Sequence, residues 1–235
     1  MIKKGILYMI PITLGDTAVN KVIPELNNEL INEIDVYVVE NIKTARRFLK
    51  KAGILKPINE LTFFELNKRT QDTELPTFLK PIFEGQNVGV LSEAGCPGVA
   101  DPGADIVALA QEQKIKVVPL VGPSSILLAL MASGFNGQSF CFNGYLPKDQ
   151  KDRTRKIKEL EKAAKNKQQT QLFIETPFRN SHVIEDIIKN CFSTTKLCIA
   201  VDITLQTEQI YTKTVEEWKT TKINLQKRPC IFLIG

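Results

Sequence analysis

The sequence predicts an α/β chain in two domains: a mostly parallel sheet over residues 1–120, then an α+β domain over 121–235. Three observations carry this. Strand-like runs alternate with helical segments as far as about residue 120. The strand runs are continuously apolar, as strands covered on both faces must be. Beyond residue 120 the alternation gives way to closely spaced strand candidates around a charged helix. A chain of 235 residues suits one large or two small domains, at about 100–200 residues each.

Residues 5–10 form a short apolar run ended by Pro11 and Gly15-Asp16, a strand entering a loop. Residues 19–31 repeat apolar positions at helical spacing, interrupted by Pro24. The β-branched run 35–40 is a strand that leaves Glu40 at its end. Residues 43–52 read as a basic amphipathic helix closed by Gly53, and 71–84 as a helix stopped by Gly85. Strand 87–92, helix 104–113 and strand 115–120 follow, then a very apolar helix over 123–133 ended by Gly134. A hinge is expected at 120–122. In the second half, 139–145, 170–175, 196–203, 208–214 and 230–234 are strand candidates. Helices over 150–167 and 178–190, and a short segment around Trp218, separate them.

Composition removes several classes of function. Hydrophobic residues make up 43% and charged residues 24%, ordinary values for a globular chain. No apolar run reaches the roughly 20 residues of a membrane helix, so no membrane partner is expected. The opening MIKKGILYMIPITLGD reads as a buried strand rather than a secretory leader, and a cytoplasmic location is expected. The five cysteines (Cys96, Cys141, Cys191, Cys198 and Cys230) are odd in number and lack CxxC spacing. That argues against a disulfide framework or a structural zinc site, and no metal is expected. They read as reduced, buried, small apolar residues. The single histidine, His182, lies in what looks like a helix start.

The net charge of +5 is mildly basic. The excess sits in residues 148–167, where nine basic residues face four acids. This segment is either a solvated helix face or a surface that contacts phosphates.

The most informative stretch is LSEAGCPGVADPG at 91–103, between a buried strand and a helix. Its glycines and prolines let backbone groups approach a ligand closely. Its acids favour hydroxyls or a cationic ligand over phosphate. The loops 121–125 (VGPSS) and 10–16 (IPITLGD) also follow strands. Loops at the carboxyl ends of parallel strands should converge on one cleft. Neither GxGxxG after the first strand nor GxxxxGK[ST] occurs, against dinucleotide and P-loop sites of the usual kind.

LYMIPITLGD, VVENIKTARRFLKKAGI, LSEAGCPGVADPG, VPLVGPSSILLALMASG, FNGYLPK and LFIETPFR occur in that order over nearly the whole chain. In this the sequence resembles the tetrapyrrole-methylase superfamily of S-adenosylmethionine (SAM) enzymes. Within it the sequence is most similar to the group that methylates a ribose 2′-hydroxyl of small-subunit ribosomal RNA. The resemblance implies two α/β domains with SAM in a cleft between them, a homodimer, and ribosomal RNA or the small subunit as partner. Carried over by motif, it implies cofactor contacts at Leu14, Glu93, Ala94, Gly95, Pro97, Ser124, Ser125, Thr176, Pro177, Ala200 and Pro229.

The cofactor loops depart from the group mildly, with Ile12-Thr13 for Gly-Asn and Glu93-Ala94-Gly95-Cys96-Pro97 for Asp-Ala-Gly-Thr-Pro, and the larger departures fall on the acceptor side. The group's Ala-Glu-Asp-Thr-Arg stands here as Val39-Glu40-Asn41-Ile42-Lys43. Its His-Glu-His-Asn stands as Phe64-Glu65-Leu66-Asn67, and its Ala-Arg-Glu-Leu-Thr-Lys as Ala200-Val201-Asp202-Ile203-Thr204-Leu205. A ribose hydroxyl is a poor nucleophile, so a base or a nearby cation should assist it. Glu40, Lys43, Arg46 and Asp202 are the candidate catalytic residues. Two other readings stay open at this stage. One is methylation of a tetrapyrrole or another small molecule. The other is a SAM- or RNA-binding protein with weak catalysis.

Overall fold

The computed structural model describes residues 3–235. The chain forms two compact units, one ending at Ser124 and one running over Ser125–Gly235.

The first unit is built on five parallel strands: β1 (Ile6–Ile10), β2 (Val36–Val39), β3 (Thr62–Glu65), β4 (Val88–Leu91) and β5 (Lys116–Pro119). Their spatial order is β3-β2-β4-β1-β5. The connecting helices are α1 (Glu25–Glu33), α2 (Ile42–Lys51), the single turns α3 (Leu75–Phe78) and α4 (Lys80–Phe83), and α5 (Gly103–Glu112). Alternate strand residues point to opposite faces. Val36 and Val38 join Leu79, Ile82 and Ile106 in one core. Tyr37 and Val39 join Ile31, Phe48 and Leu49 in the other. Both faces are therefore filled, which is why these strands carry no polar alternation.

Three elements differ from the sequence reading, each for a local reason. Pro24 does not interrupt a helix. A 3₁₀ turn at Val19–Lys21 precedes it and α1 starts directly after it, where the missing proline N–H costs nothing. The stretch 71–84 is not one helix: Pro76 and Pro81 each sit in the first turn of a separate short helix. The strand β3 was not expected, because its ends are the polar Thr62 and Glu65 and it lies at the sheet edge.

The second unit carries β6 (Phe140–Tyr145), β7 (Thr170–Glu175), β8 (Lys196–Val201), β9 (Gln209–Thr214) and β10 (Cys230–Ile234), in the order β6-β7-β10-β8-β9. Only the β6–β7 pair is parallel. Its helices are α6 (Ser125–Ser133), α7 (Gln150–Lys167), α8 (Asn180–Asn190) and α9 (Val215–Trp218). Phe173, Ile199 and Phe232 of the sheet pack with Ile157 and Leu160 of α7, Val183 and Ile187 of α8, and Trp218 of α9. The Trp218 indole N–H donates to Leu197 O at 2.9 Å. The short α9 is held by a capping box between Thr214 and Glu217.

The basic segment needs one correction. Arg153 is not on a solvated or phosphate-facing surface. It is buried, and its Nε donates to Asp186 Oδ2 of α8 at 2.7 Å. All five cysteines are free, but only Cys198 and Cys230 are fully buried. His182 is exposed in the first turn of α8. Among the described residues no helix is long and apolar enough to cross a membrane, and no group of His, Cys, Asp or Glu could hold a metal ion.

Candidate functional site

Strand register defines a single edge in each unit. In the first, Leu91 is paired with both Ile10 and Val39. The next residues along the chain, Pro11, Glu40 and Ser92, therefore stand side by side at the carboxyl edge of the sheet. Three loops meet there. Ile12 N–H donates to Gly95 O at 2.9 Å, and the Cys96 thiol lies 3.4 Å from Pro123 O. Gly95 has a φ of 71°, and a Cβ on it would lie 3.0 Å from both Leu14 Cδ2 and Pro123 O. A Cβ on Gly122 would come within 2.2 Å of Pro11 Cβ. The loop after β5 thus packs onto the loops after β1 and β4.

Gly122→Ala is expected to force β1 and β5 apart at this edge. The expected result is a loss of about 1–3 kcal/mol of stability from overpacking, read as a fall in Tm. An unchanged Tm would show that the junction opens freely enough to admit the methyl group.

Three carboxylates crowd this edge. Glu40 is half-buried in a recess formed by Val38, Leu66, Leu91, Ser92, Asp101 and Pro102. Burial raises its pKa above the ordinary carboxylate value, the Glu93 and Asp101 charges push it further, and Lys68 opposes them. Asp101 is occupied in shaping its own turn. Its carboxylate accepts from Gly98 N–H at 2.8 and 3.0 Å and from Gly103 N–H at 2.7 Å. Burial nevertheless raises its pKa. Glu93 is exposed and accepts from the Thr44 hydroxyl, which ties the loop after β4 to α2. Ala94 is exposed beside it, whereas Gly95 and Pro97 are buried.

The departure at Asn41 has a structural account. Asn41 is the N-cap of α2, and its side-chain oxygen accepts from Lys43 N–H at 2.9 Å and Thr44 N–H at 3.3 Å. Asparagine caps a helix about as well as aspartate, so the turn that projects Glu40 and Lys43 is preserved. Lys43 and Arg46 are exposed on α2, three residues apart and so on one helix face. The Arg46 guanidinium lies over the Phe63 ring at 5.2 Å.

In the second unit, Cys230 pairs with both Glu175 and Val201. Thr176, Pro229 and Asp202 therefore lie together at one end of that sheet, with Ala200 two positions further in. Thr176 N–H donates to Glu175 Oε1 at 2.6 Å, and Asp202 N–H to Pro229 O at 3.0 Å. Pro177 follows Thr176, and Ser125 opens α6 directly after Ser124. Asp202 is buried and engaged: its Oδ2 accepts from Arg228 Nε at 2.7 Å and from the Thr207 hydroxyl at 2.6 Å. Arg228 also donates to Asn224 O at 2.9 Å and to Thr207 O at 2.5 Å. The pair locks a turn in which Asp202 and Thr204 both hold positive φ. Nothing in the local sequence marked Arg228, because the partner lies 26 residues away. Asp101, Thr44 and Lys68 around Glu40 were also missed, although the two acids of the 91–103 loop pointed towards Asp101.

Each edge presents polar groups of its own. The first is lined by backbone and by carboxylates that complement positive charge and ribose hydroxyls. The second holds two buried polar atoms, Arg179 Nε and Thr204 Oγ1, that find no partner among the described residues. Glycine at 95 and 122 lets the three loops pack against one another where a Cβ would collide with Leu14, Pro123 or Pro11.

A parallel α/β unit with converging glycine and proline loops is followed by a second, mixed sheet. Comparisons with known proteins carry this to the family. The profile of the tetrapyrrole (corrin/porphyrin) methylases matches residues 29–219, and the chain belongs to that family. It is 28% identical over 234 residues to the ribosomal RNA small subunit methyltransferase I of Escherichia coli O157:H7, covering 98% of this chain and 78% of that one. It is 29% identical over 235 residues to the protein of the same name from Buchnera aphidicola subsp. Acyrthosiphon pisum, covering 98% and 79%. Among solved structures, the methyltransferase CobJ superposes with a TM-score of 0.65 at 19% identity, covering 98% of this chain and 94% of that one. The uroporphyrin-III C-methyltransferase of Thermus thermophilus with S-adenosyl homocysteine superposes with a TM-score of 0.58 at 14% identity, covering 98% and 97%.

Proposed function

We propose that this chain methylates a ribose 2′-hydroxyl of small-subunit ribosomal RNA, acting as a cytoplasmic homodimer. The observation that carries this reading is its similarity, over 98% of its length, to proteins named ribosomal RNA small subunit methyltransferase I. When bound, SAM supplies an electrophilic methyl group on a sulfonium centre. Leu14, Gly95, Pro97, Ser124 and Ser125 would hold it through backbone and apolar contacts, with Glu93 and Ala94 at the rim. The resemblance also assigns Thr176, Pro177, Ala200 and Pro229 to the cofactor.

Glu40 is the residue suited to take the proton of the attacking hydroxyl. Its half-buried setting holds its pKa above the ordinary value and so closer to working pH, where a general base is most effective. Lys43 and Arg46 would attract the RNA backbone beside it. Asp202 has a positioning role: its carboxylate is committed to Arg228 and Thr207.

The test is transfer of labelled methyl from SAM to small subunits lacking the modification, with the product mapped. Label on a ribose 2′-oxygen supports the reading. SAM binding without label on any small-subunit nucleotide overturns it.

A further inference from the structure

We propose that the outer face of α7 is a docking stripe for an RNA strand, gripping its phosphates along the length of the helix. The partner class rests on the RNA reading above, but the inference itself rests on helix geometry. At 3.6 residues per turn, Lys151, Arg155, Lys158, Lys162 and Lys165 fall within a sector of about 80° and extend along about 21 Å of axis. All five are exposed. The sector lies opposite the face that buries Arg153, Ile157, Leu160 and Ala164.

The acids of the segment do not neutralise this face. Asp149 is the N-cap and accepts from Lys151 N–H at 2.9 Å and Asp152 N–H at 3.1 Å. Asp152 pairs at 2.9 Å with Arg155, an exposed contact of little strength. Glu159 lies 4.0 Å from Lys156, on the flank. Glu161 is buried and accepts from Phe192 N–H at 2.8 Å and from the Thr195 hydroxyl. Among the described residues Lys151, Lys158, Lys162 and Lys165 have no carboxylate within ion-pair distance. An ordinary solvated helix intersperses opposite charges at i,i+4 to stabilise itself. This one places five cations in register and directs its acids elsewhere. One cation per about 5 Å of helix axis suits a polyanion with regularly spaced charges. At the far end, Lys165 Nζ lies 5.8 Å from the centroid of the exposed Phe192 ring, which supports that side chain on the face.

The experiment compares the full chain with two variants of equal net charge. One replaces the five stripe residues by Gln. The other is K21Q/K80Q/K116Q/K222Q/K227Q, five exposed lysines elsewhere. Binding to an unmodified small-subunit ribosomal RNA transcript is measured from 50 to 200 mM salt, with SAM binding by calorimetry as the check on folding. Five phosphate contacts give a log–log salt slope of about 3.5–4.5, or about 100- to 500-fold in affinity over that range. The stripe variant is expected to lose most of this slope and the control variant little of it. An equal loss in both variants, no loss in the stripe variant, or no RNA binding by the parent chain overturns the proposal. So does stripe-dependent binding to phosphatidylserine vesicles without stripe-dependent binding to RNA. Methyl transfer is not read in this experiment, so failure of the enzymatic reading and failure of the stripe are separable.

Discussion

Replacing Arg153 by Ala is expected to destabilise the chain by about 3–5 kcal/mol, because it leaves the buried Asp186 carboxylate without its cation. The two side chains are only 8% and 7% exposed, so water cannot take the missing partner's place. The geometry makes the loss larger than one bond. The same guanidinium donates to Lys148 O at 2.9 Å, and Gln150 donates to Asp186 at 3.3 Å. Removing Arg153 therefore unties the start of α7 from α8. For a chain of this size each kcal/mol lowers Tm by about 2–4 °C, so a fall of about 6–20 °C is expected in thermal unfolding. R153M/D186L should recover much of it, since an apolar pair of similar volume removes the stranded charge. The RNA salt slope measured on the folded protein should not change. A drop in Tm of a degree or two would mean that Asp186 finds another partner or takes up a proton.

Arg153 also shows where reading the sequence stops. Charge counting treats the nine basic residues of 148–167 alike. Helical phase divides them: Arg153 falls on the buried side and Lys151 on the other. Strand identity was legible wherever both faces of a strand are buried, as in β2 and β4, because burial leaves a continuous apolar run. It was not legible in β3, whose burial is partial and whose ends are polar. The prolines were visible but their roles depend on context: Pro24, Pro76 and Pro81 begin helical turns rather than break them.

The candidate site divides in the same way. The loops 10–16, 91–103 and 121–125 announce themselves by composition, because close backbone approach demands glycine and proline. The contacts between them are reciprocal and non-local: Gly122 is required by Pro11, and Gly95 by Leu14 and Pro123. Asp202 reads from sequence as a free acid beside a lost basic residue. In the structure it is the inner half of an ion pair whose other half lies near the chain's end. No local pattern could have distinguished the two.

Glu40→Gln is expected to lower the rate of methyl transfer by about 10²–10⁴-fold, the range for loss of a general base, with SAM binding retained. The substitution keeps size and hydrogen-bonding shape and removes only the capacity to accept a proton. The pH dependence gives a second, independent readout. Burial, with Glu93 and Asp101 nearby, raises the Glu40 pKa above its ordinary value of 4.5. A base works only when ionised, so the parent rate should climb as pH rises through that raised value, and the variant's residual rate should lack the climb. Stability should move the other way. Between the unfolded and folded pKa values the folded chain holds the proton and the unfolded chain does not, so stability falls as pH rises through this window. The fall is complete above the folded pKa and absent below the unfolded one. Glu40→Gln removes that fall, so its Tm relative to the parent should rise across the same window. A variant that keeps the parent's rate and its pH profile would remove Glu40 from the reaction and leave its raised pKa a consequence of packing alone. A variant that loses the rate but also loses SAM binding would place Glu40 with the cofactor rather than with the acceptor.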